Sequence, residues 1–392
     1  GSLKGMSDHS VSAPHLSELQ THRREKWRAF PSDVLPLPVA EMDFPVAQPI
    51  RDLLSEMIAK SDLGYLGSIP ELGQGFAHFA GNRWNWEVDP LQVRAATDVG
   101  VAVVEVLRVF TNPGDSILLS SPVYQNFYNW INETKLNLVD VPFERTGNES
   151  ANPWEINWDG IEKAYASGLK VHILCSPHNP LGRVYSKEEL LRIVALAKRY
   201  DVLVISDEIH APLTFKDKVF VPMLSLGSDA EAVSVTVTAA SKGWNIAGLK
   251  CAIIVSQNEA INARLATMPI AVHYRASLLG GFATAVAFAE GGVWLDSVLE
   301  NLDHNRHMIK ELLSSQLPSV RYHIPDNSYL AWLDLEALNL GEDPSVTLLE
   351  KGRVAFNAGH TYGKQCSQYV RLNFATSPTI VTEAVHRIAR AI

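Results

Sequence analysis

Between residues 116 and 256 short, unbroken apolar runs recur, separated by longer amphipathic stretches. Runs at 116–120, 171–176, 202–206, 233–238 and 251–256 are rich in Val, Ile and Leu and predict buried strands. They read as apolar throughout rather than alternating, as strands do when helices cover both faces of their sheet. Leu190, Leu191, Val194, Leu196 and Ala197 recur at helical spacing and predict a helix over 187–200, opened by a Ser186/Glu189 capping box. Strands alternating with helices predict βαβ units, so the fold class is α/β, built on a mainly parallel sheet. After residue 290 the pattern changes. A helical stretch over 293–317 precedes separated strands at 329–335 and 369–374 and a closing helix from Thr379, the pattern of a smaller α+β unit. At the other end, the chain is polar and irregular to Ala29. Pro31, Pro36, Pro38, Pro45 and Pro49 then predict an extended arm over 31–50. The expected organisation is an N-terminal arm (1–50) joined to the small unit, a large domain (51–290) and a small C-terminal domain (291–392).

Composition narrows the function. The 392 residues are 46% hydrophobic and 20% charged, enough to fill a real core. A net charge of -9 without basic clusters argues against nucleic-acid partners. No stretch approaches the roughly 20 apolar residues a membrane helix needs, so no membrane partner is expected. Cys175, Cys251 and Cys366 lie far apart with no C-x-x-C pair, which points away from a disulfide framework or a metal site and toward a reducing, cytoplasmic setting. Residues 1–5, ahead of Met6, read as an expression remnant.

Four segments carry chemistry. Lys242, in Ser241-Lys-Gly-Trp-Asn-Ile-Ala-Gly248, follows a predicted strand among small residues. Partial burial there would lower its pKa and favour the free amine that an imine requires, although a solvent-facing loop lysine fits the position equally well. Asp207, in Ser206-Asp-Glu-Ile-His210, ends another strand, where ligands of open α/β sheets gather. A carboxylate there suits a protonated heterocyclic nitrogen, a helix cap or a metal ligand. Asn179, in Ser176-Pro-His-Asn-Pro180, sits in a rigid turn from which its amide can donate to a phenolate oxygen, or simply hold the turn. Gly100 opens a helical pattern whose first amides suit a phosphate.

Taken together, these segments resemble fold type I pyridoxal 5′-phosphate (PLP) enzymes of the class I/II aminotransferase superfamily, from Arg24 onward. The nearest likeness is to the MalY/PatB-type cystathionine β-lyases, through the segments above together with Ala40-Glu-Met-Asp-Phe-Pro45 and Arg371-Leu-Asn-Phe-Ala-Thr376. The resemblance implies a mainly parallel seven-stranded sheet in the large domain, and PLP held as a Schiff base on Lys242. It implies Asp207 at the ring nitrogen, Asn179 at the ring oxygen and Tyr124 stacked on the ring, with His210 beside the cofactor. Gly100, Val101, Ser241 and Lys250 would meet the phosphate, and Tyr65 would reach the neighbour's phosphate across a homodimer. Arg371 would clamp the substrate carboxylate, a task its planar fork suits, and Asp43 would stand on the substrate side.

The implied activity is α,β-elimination from cystathionine or a related S-substituted L-cysteine, giving pyruvate, ammonia and a thiol. Aminotransfer to a 2-oxo acid is the alternative. His210 favours elimination, since aminotransferases of this superfamily carry Tyr at that position. A scaffold without catalysis is the third class, and the full set Lys242, Asp207, Asn179 and Arg371 argues against it. Two departures stand out. Gly243-Trp244 replaces the lyases' Thr-Phe and is expected to reshape the wall around the cofactor. Lys364-Gln-Cys-Ser-Gln-Tyr369 replaces a glycine-rich approach to Arg371 and bears on substrate preference.

Overall fold

Seven strands form the central sheet: β1 (Val93–Ala96), β2 (Ser116–Leu119), β3 (Asn137–Asp140), β4 (Val171–Cys175), β5 (Leu203–Asp207), β6 (Ser234–Thr238) and β7 (Ala252–Val255). The computed structural model that contains them describes residues 7–147 and 152–392, so the expected remnant at 1–5 lies outside the described residues. The strand order is β1-β7-β6-β5-β4-β2-β3. Only β7 runs against its neighbours; β6, β5, β4, β2 and β3 are mutually parallel. Both faces are covered, as the runs of apolar residues require. Ile117, Ile173 and Ile205 pack under the helix Val99–Phe110, whereas Leu118, Leu174 and Val204 pack under Lys187–Tyr200. That second helix has the expected bounds, and its Ser186/Glu189 capping box is formed. The strand β6 departs from the expected pattern: Ser234, Thr236 and Thr238 alternate with valines, yet all are buried. Two of these hydroxyls donate to backbone carbonyls, Ser234 to that of Ala230 and Thr238 to that of Glu208 just after β5.

A four-stranded antiparallel sheet lies further along the chain, in the order Arg321–Tyr322, Leu330–Asp334, Tyr369–Asn373, Asn357–Ala358. The helices Gly292–Gln316 and Pro378–Arg390 pack together beside it, close to the predicted bounds. The N-terminal segment differs from expectation in two ways. Residues before Ala29 form short helices, Leu16–Leu19 and Glu25–Arg28. The extended arm ends early because Pro49 sits in the first turn of the helix Gln48–Ala59, where a missing N–H costs nothing. In between, Leu35–Pro36 pairs in parallel with Val354–Ala355, tying the arm to the C-terminal part of the chain. No single helix among the described residues is long and apolar enough to cross a membrane.

Close backbone approach fixes one edge of the site. The helix Leu278–Glu290 is capped by Ser277 and presses Gly280 onto the Leu249 carbonyl, where a Cβ would overlap it. Gly280→Ala is therefore expected to destabilise the protein by about 1–3 kcal/mol. Urea unfolding checks this, and an unchanged midpoint would contradict the packing described.

Candidate active site

The carboxyl ends of the parallel strands converge on a cavity of about 320 Å³. The segments at the ends of β4, β5 and β6 deliver polar groups to it. After β6, Lys242 enters the cavity partly buried, its Nζ donating to the Ala40 carbonyl at 3.1 Å. Loss of water around the amine, and then the Arg371 charge, pull its pKa down to about 8. At the end of β5, Asp207 is buried and its carboxylate accepts one hydrogen bond among the described residues, from Ile209 N–H at 3.2 Å. Burial pushes it up to about 7, with that hydrogen bond and Lys242 opposing. The next residue, Glu208, is buried with Ser206 Oγ at 2.7 Å and Met223 N–H at 3.1 Å, so it serves the fold.

The turn after β4 places Asn179 in the wall, its carbonyl accepting from Tyr124 N–H at 3.1 Å. Asn179 Oδ1 accepts from Arg371 Nη1 at 3.1 Å, which leaves the amide's own donors for other acceptors. Arg371 is buried, with Nη2 on Asn357 Oδ1 at 3.1 Å and its guanidinium over the Tyr362 ring. Its Nε is buried without a partner, and no carboxylate among the described residues pairs with it. A buried cation left uncompensated calls for an anionic ligand. His210 lines the cavity, Nδ1 at 3.0 Å from Ser328 Oγ; burial first, then Lys242 and Arg371, bring it down to about 3, so its ring is neutral at working pH.

On the other side of the cavity stands the N-terminus of Val99–Phe110. Gly100 is needed there, because a Cβ would come within 2.9 Å of Trp130 Nε1. Ser241 and Lys250 complete this end, Lys250 Nζ lying 3.8 Å from Asp98 Oδ2.

Comparison with known proteins adds the lineage. The model for aminotransferase class I and II matches residues 32–388. The chain belongs to the class I and II aminotransferase family. Within this family it is 33% identical to the cystathionine beta-lyase of Corynebacterium glutamicum, over 97% of this chain and 99% of the relative. It is 31% identical to the cystathionine beta-lyase PatB of Bacillus subtilis, over 92% and 93%. The structure of cystalysin from Treponema denticola, which contains a pyridoxal 5′-phosphate cofactor, superposes with a TM-score of 0.89 at 25% identity, covering 98% of each chain.

For this aminotransferase-family chain, eight expected residues share the cavity wall: Gly100, Tyr124, Asn179, Asp207, His210, Ser241, Lys242 and Lys250. Arg371 stands behind Asn179. Val101 does not reach the wall, and its N–H is taken by Asp98 Oδ1 at 2.8 Å. Tyr65 is 92% exposed and is not part of this chain's own cavity wall. Asp43 is a correction. It is buried and absent from the cavity wall, and its oxygens accept from Arg24 Nη2 (2.6 Å) and Trp27 Nε1 (2.8 Å) on one side and Lys26 Nζ (2.7 Å) on the other, so it anchors the arm. Trp244 is a second correction. It is fully buried against Phe79 and Phe288, with Nε1 on the Gly291 carbonyl, and does not line the cavity. Sequence reasoning missed Ala40, Asp98 and Trp130. Asp98 was readable as a helix N-cap; a backbone carbonyl such as that of Ala40 leaves no sequence signal.

The raised Asp207 has a pH consequence in the apo protein. Its folded pKa of about 7 exceeds the ordinary 3.8, so the protonated form is favoured on folding and stability falls as pH rises through that window. Asp207→Asn removes this share of the decline, while Glu208, pushed to about 8, keeps its own. From acid to neutral pH the urea midpoint should fall less, or rise more, in the variant than in wild type, because buried neutral histidines such as His210 push stability the other way; an identical change in both proteins would mean Asp207 is not destabilised by burial.

Proposed function

We propose that this protein is a PLP-dependent carbon–sulfur β-lyase, cleaving cystathionine or related S-substituted L-cysteines to pyruvate, ammonia and a thiol. The observation that carries the reading is one cavity shared by a lysine amine near neutrality and a buried carboxylate with a single backbone donor. Those residues fit PLP: an amine for its aldehyde, an anion for its ring nitrogen, and small residues with a lysine at a helix N-terminus for its phosphate. When bound, PLP supplies an electron sink for charge developing at the substrate's α-carbon.

The protein's own groups do the rest. Asp207 keeps the ring nitrogen's proton in place, since burial makes its negative charge costly without a cation beside it. Asn179 would donate to the ring oxygen, Tyr124 would lie against the ring, and His210 presents a neutral imidazole where aminotransferases carry Tyr. Gly100, Ser241 and Lys250 would hold the phosphate, with Val101 steadying that end through its N–H on Asp98 Oδ1. Arg371 binds the substrate carboxylate and aligns the α-C–H bond with Lys242. Lys242 Nζ takes that proton, and the sulfur on Cβ departs as thiolate. The lyase relatives support elimination over aminotransfer.

A homodimer fits the surface around Tyr65. Leu63, Tyr65, Ile270 and Tyr274 are all at least half exposed, and His273 Nε2 ties the two segments through the Gly67 carbonyl at 2.8 Å. Tyr65 would cross that interface to the partner's phosphate site. We assign residues 51–290 to the large domain and 291–392, with the arm 1–50, to the small one. Three buried free thiols suit the cytoplasm.

Purified protein given cystathionine and PLP should release pyruvate, ammonia and homocysteine in equal amounts. Glutamate formed from added 2-oxoglutarate, without pyruvate, would instead establish an aminotransferase. Arg371→Ala should lower kcat/KM on the order of 100-fold, mostly through KM, because the carboxylate loses a charge-assisted pair. An unaffected KM would move the carboxylate site elsewhere.

A further inference from the structure

The arm beside the cavity holds a strained turn at Val39. Val39 has φ of +60°, a conformation β-branched residues adopt at real cost. The strain has a visible product: the next carbonyl, that of Ala40, faces the cavity and accepts from Lys242 Nζ at 3.1 Å. Two asparagines hold the turn. Asn373 Nδ2 donates to the Val39 and Glu41 carbonyls at 2.8 and 2.6 Å, anchoring the arm to the four-stranded sheet. Asn245 pairs reciprocally with Met42, accepting from its N–H and donating to its carbonyl, both at 2.9 Å.

The two differ in what they connect. Asn245 lies three residues beyond Lys242 on the same turn, itself at φ +57°, so one side chain links the lysine's turn to the segment that receives the lysine's amine. The Asp43 cluster with Arg24, Lys26 and Trp27 fastens the arm and also reaches the Glu41 side chain, through Arg24 Nη1 at 3.4 Å and Lys26 N–H at 3.2 Å, but among these bonds none goes to the lysine's own turn.

We propose that the turn at 39–42 is the seat of the free Lys242 amine, and that Asn245 is the positioning residue that keeps this seat in register with the lysine. The proposal rests on Lys242 being the amine that moves the α-proton. In that step the Cα–H bond breaks and an Nζ–H bond forms. A hydrogen bond from Nζ to Ala40 O points the remaining lone pair, and a seat displaced by a fraction of an ångström misdirects it.

Asn245→Ala keeps the arm through Asn373 and Asp43 but frees its register. It should lower kcat on the order of 10–100-fold and slow exchange of the α-proton of L-alanine with deuterated water by a similar factor. KM and the Kd for PLP, titrated by absorbance, should stay within about threefold. The isotope effect on α-deuterated cystathionine should rise. Asn245→Asp, which still accepts from Met42 N–H but no longer donates to its carbonyl, should fall between. Should the alanine variant fail to fold, the aspartate variant decides alone. A folded variant exchanging as fast as wild type, or a loss carried wholly by KM, would overturn the positioning role. If wild type itself exchanges no α-proton, the lysine's role fails instead, which is a separate outcome.

Discussion

Burying Asp207 at the carboxyl end of β5 costs free energy that its single backbone donor, Ile209 N–H, does not offset. The protein tolerates that cost because the adjacent space is a cavity in which a cation can sit, faced by a lysine amine from the next strand. The same logic governs Arg371, a buried guanidinium whose neighbours are neutral amides. One unmet negative charge, on Asp207, and one unmet positive charge, on Arg371 beside Asn179, mark two places where a ligand charge of opposite sign would be stabilised. The geometry is that of a site preorganised for charge that arrives with its ligands.

What holds these groups in place is the parallel sheet. Cys175 and Asp207 are register partners on β4 and β5, so the turn bearing Asn179 and the strand end bearing Asp207 are fixed relative to each other by the ladder. Ser176 N–H, bonded to the Asp207 carbonyl at 2.9 Å, extends that pairing one step past the strand. Apolar packing on both faces leaves the strand ends little freedom. Against this rigid floor the N-terminal arm is a fitted piece, fastened by the Lys26–Asp43 pair and by two asparagines. The Gly243-Trp244 departure belongs to this scaffolding, because the indole fills the core and leaves the cavity wall alone.

Much of this was legible in the sequence where structure is local. The apolar runs of β4, β5 and β7 and the amphipathic Lys187–Tyr200 announce themselves by period, and the cavity residues follow the strand ends directly. β1 and β3 escaped because Val-Arg-Ala-Ala is only four residues long, two of them alanine and one arginine, and Asn137–Asp140 is an exposed edge. Asp43 was misassigned because its partners, 16 to 19 residues away, share no periodic pattern with it. The Ala40 carbonyl was invisible for a different reason: only the folded arm brings backbone to a lysine 202 residues distant.

The direct test of the buried-carboxylate account is the charge of the ring it serves. Protein loaded with PLP labelled with 15N at the ring nitrogen, observed by NMR at mildly alkaline pH, should give the shift of a protonated ring in wild type and of a neutral pyridine in Asp207→Asn. A neutral ring in the wild-type protein would contradict the account.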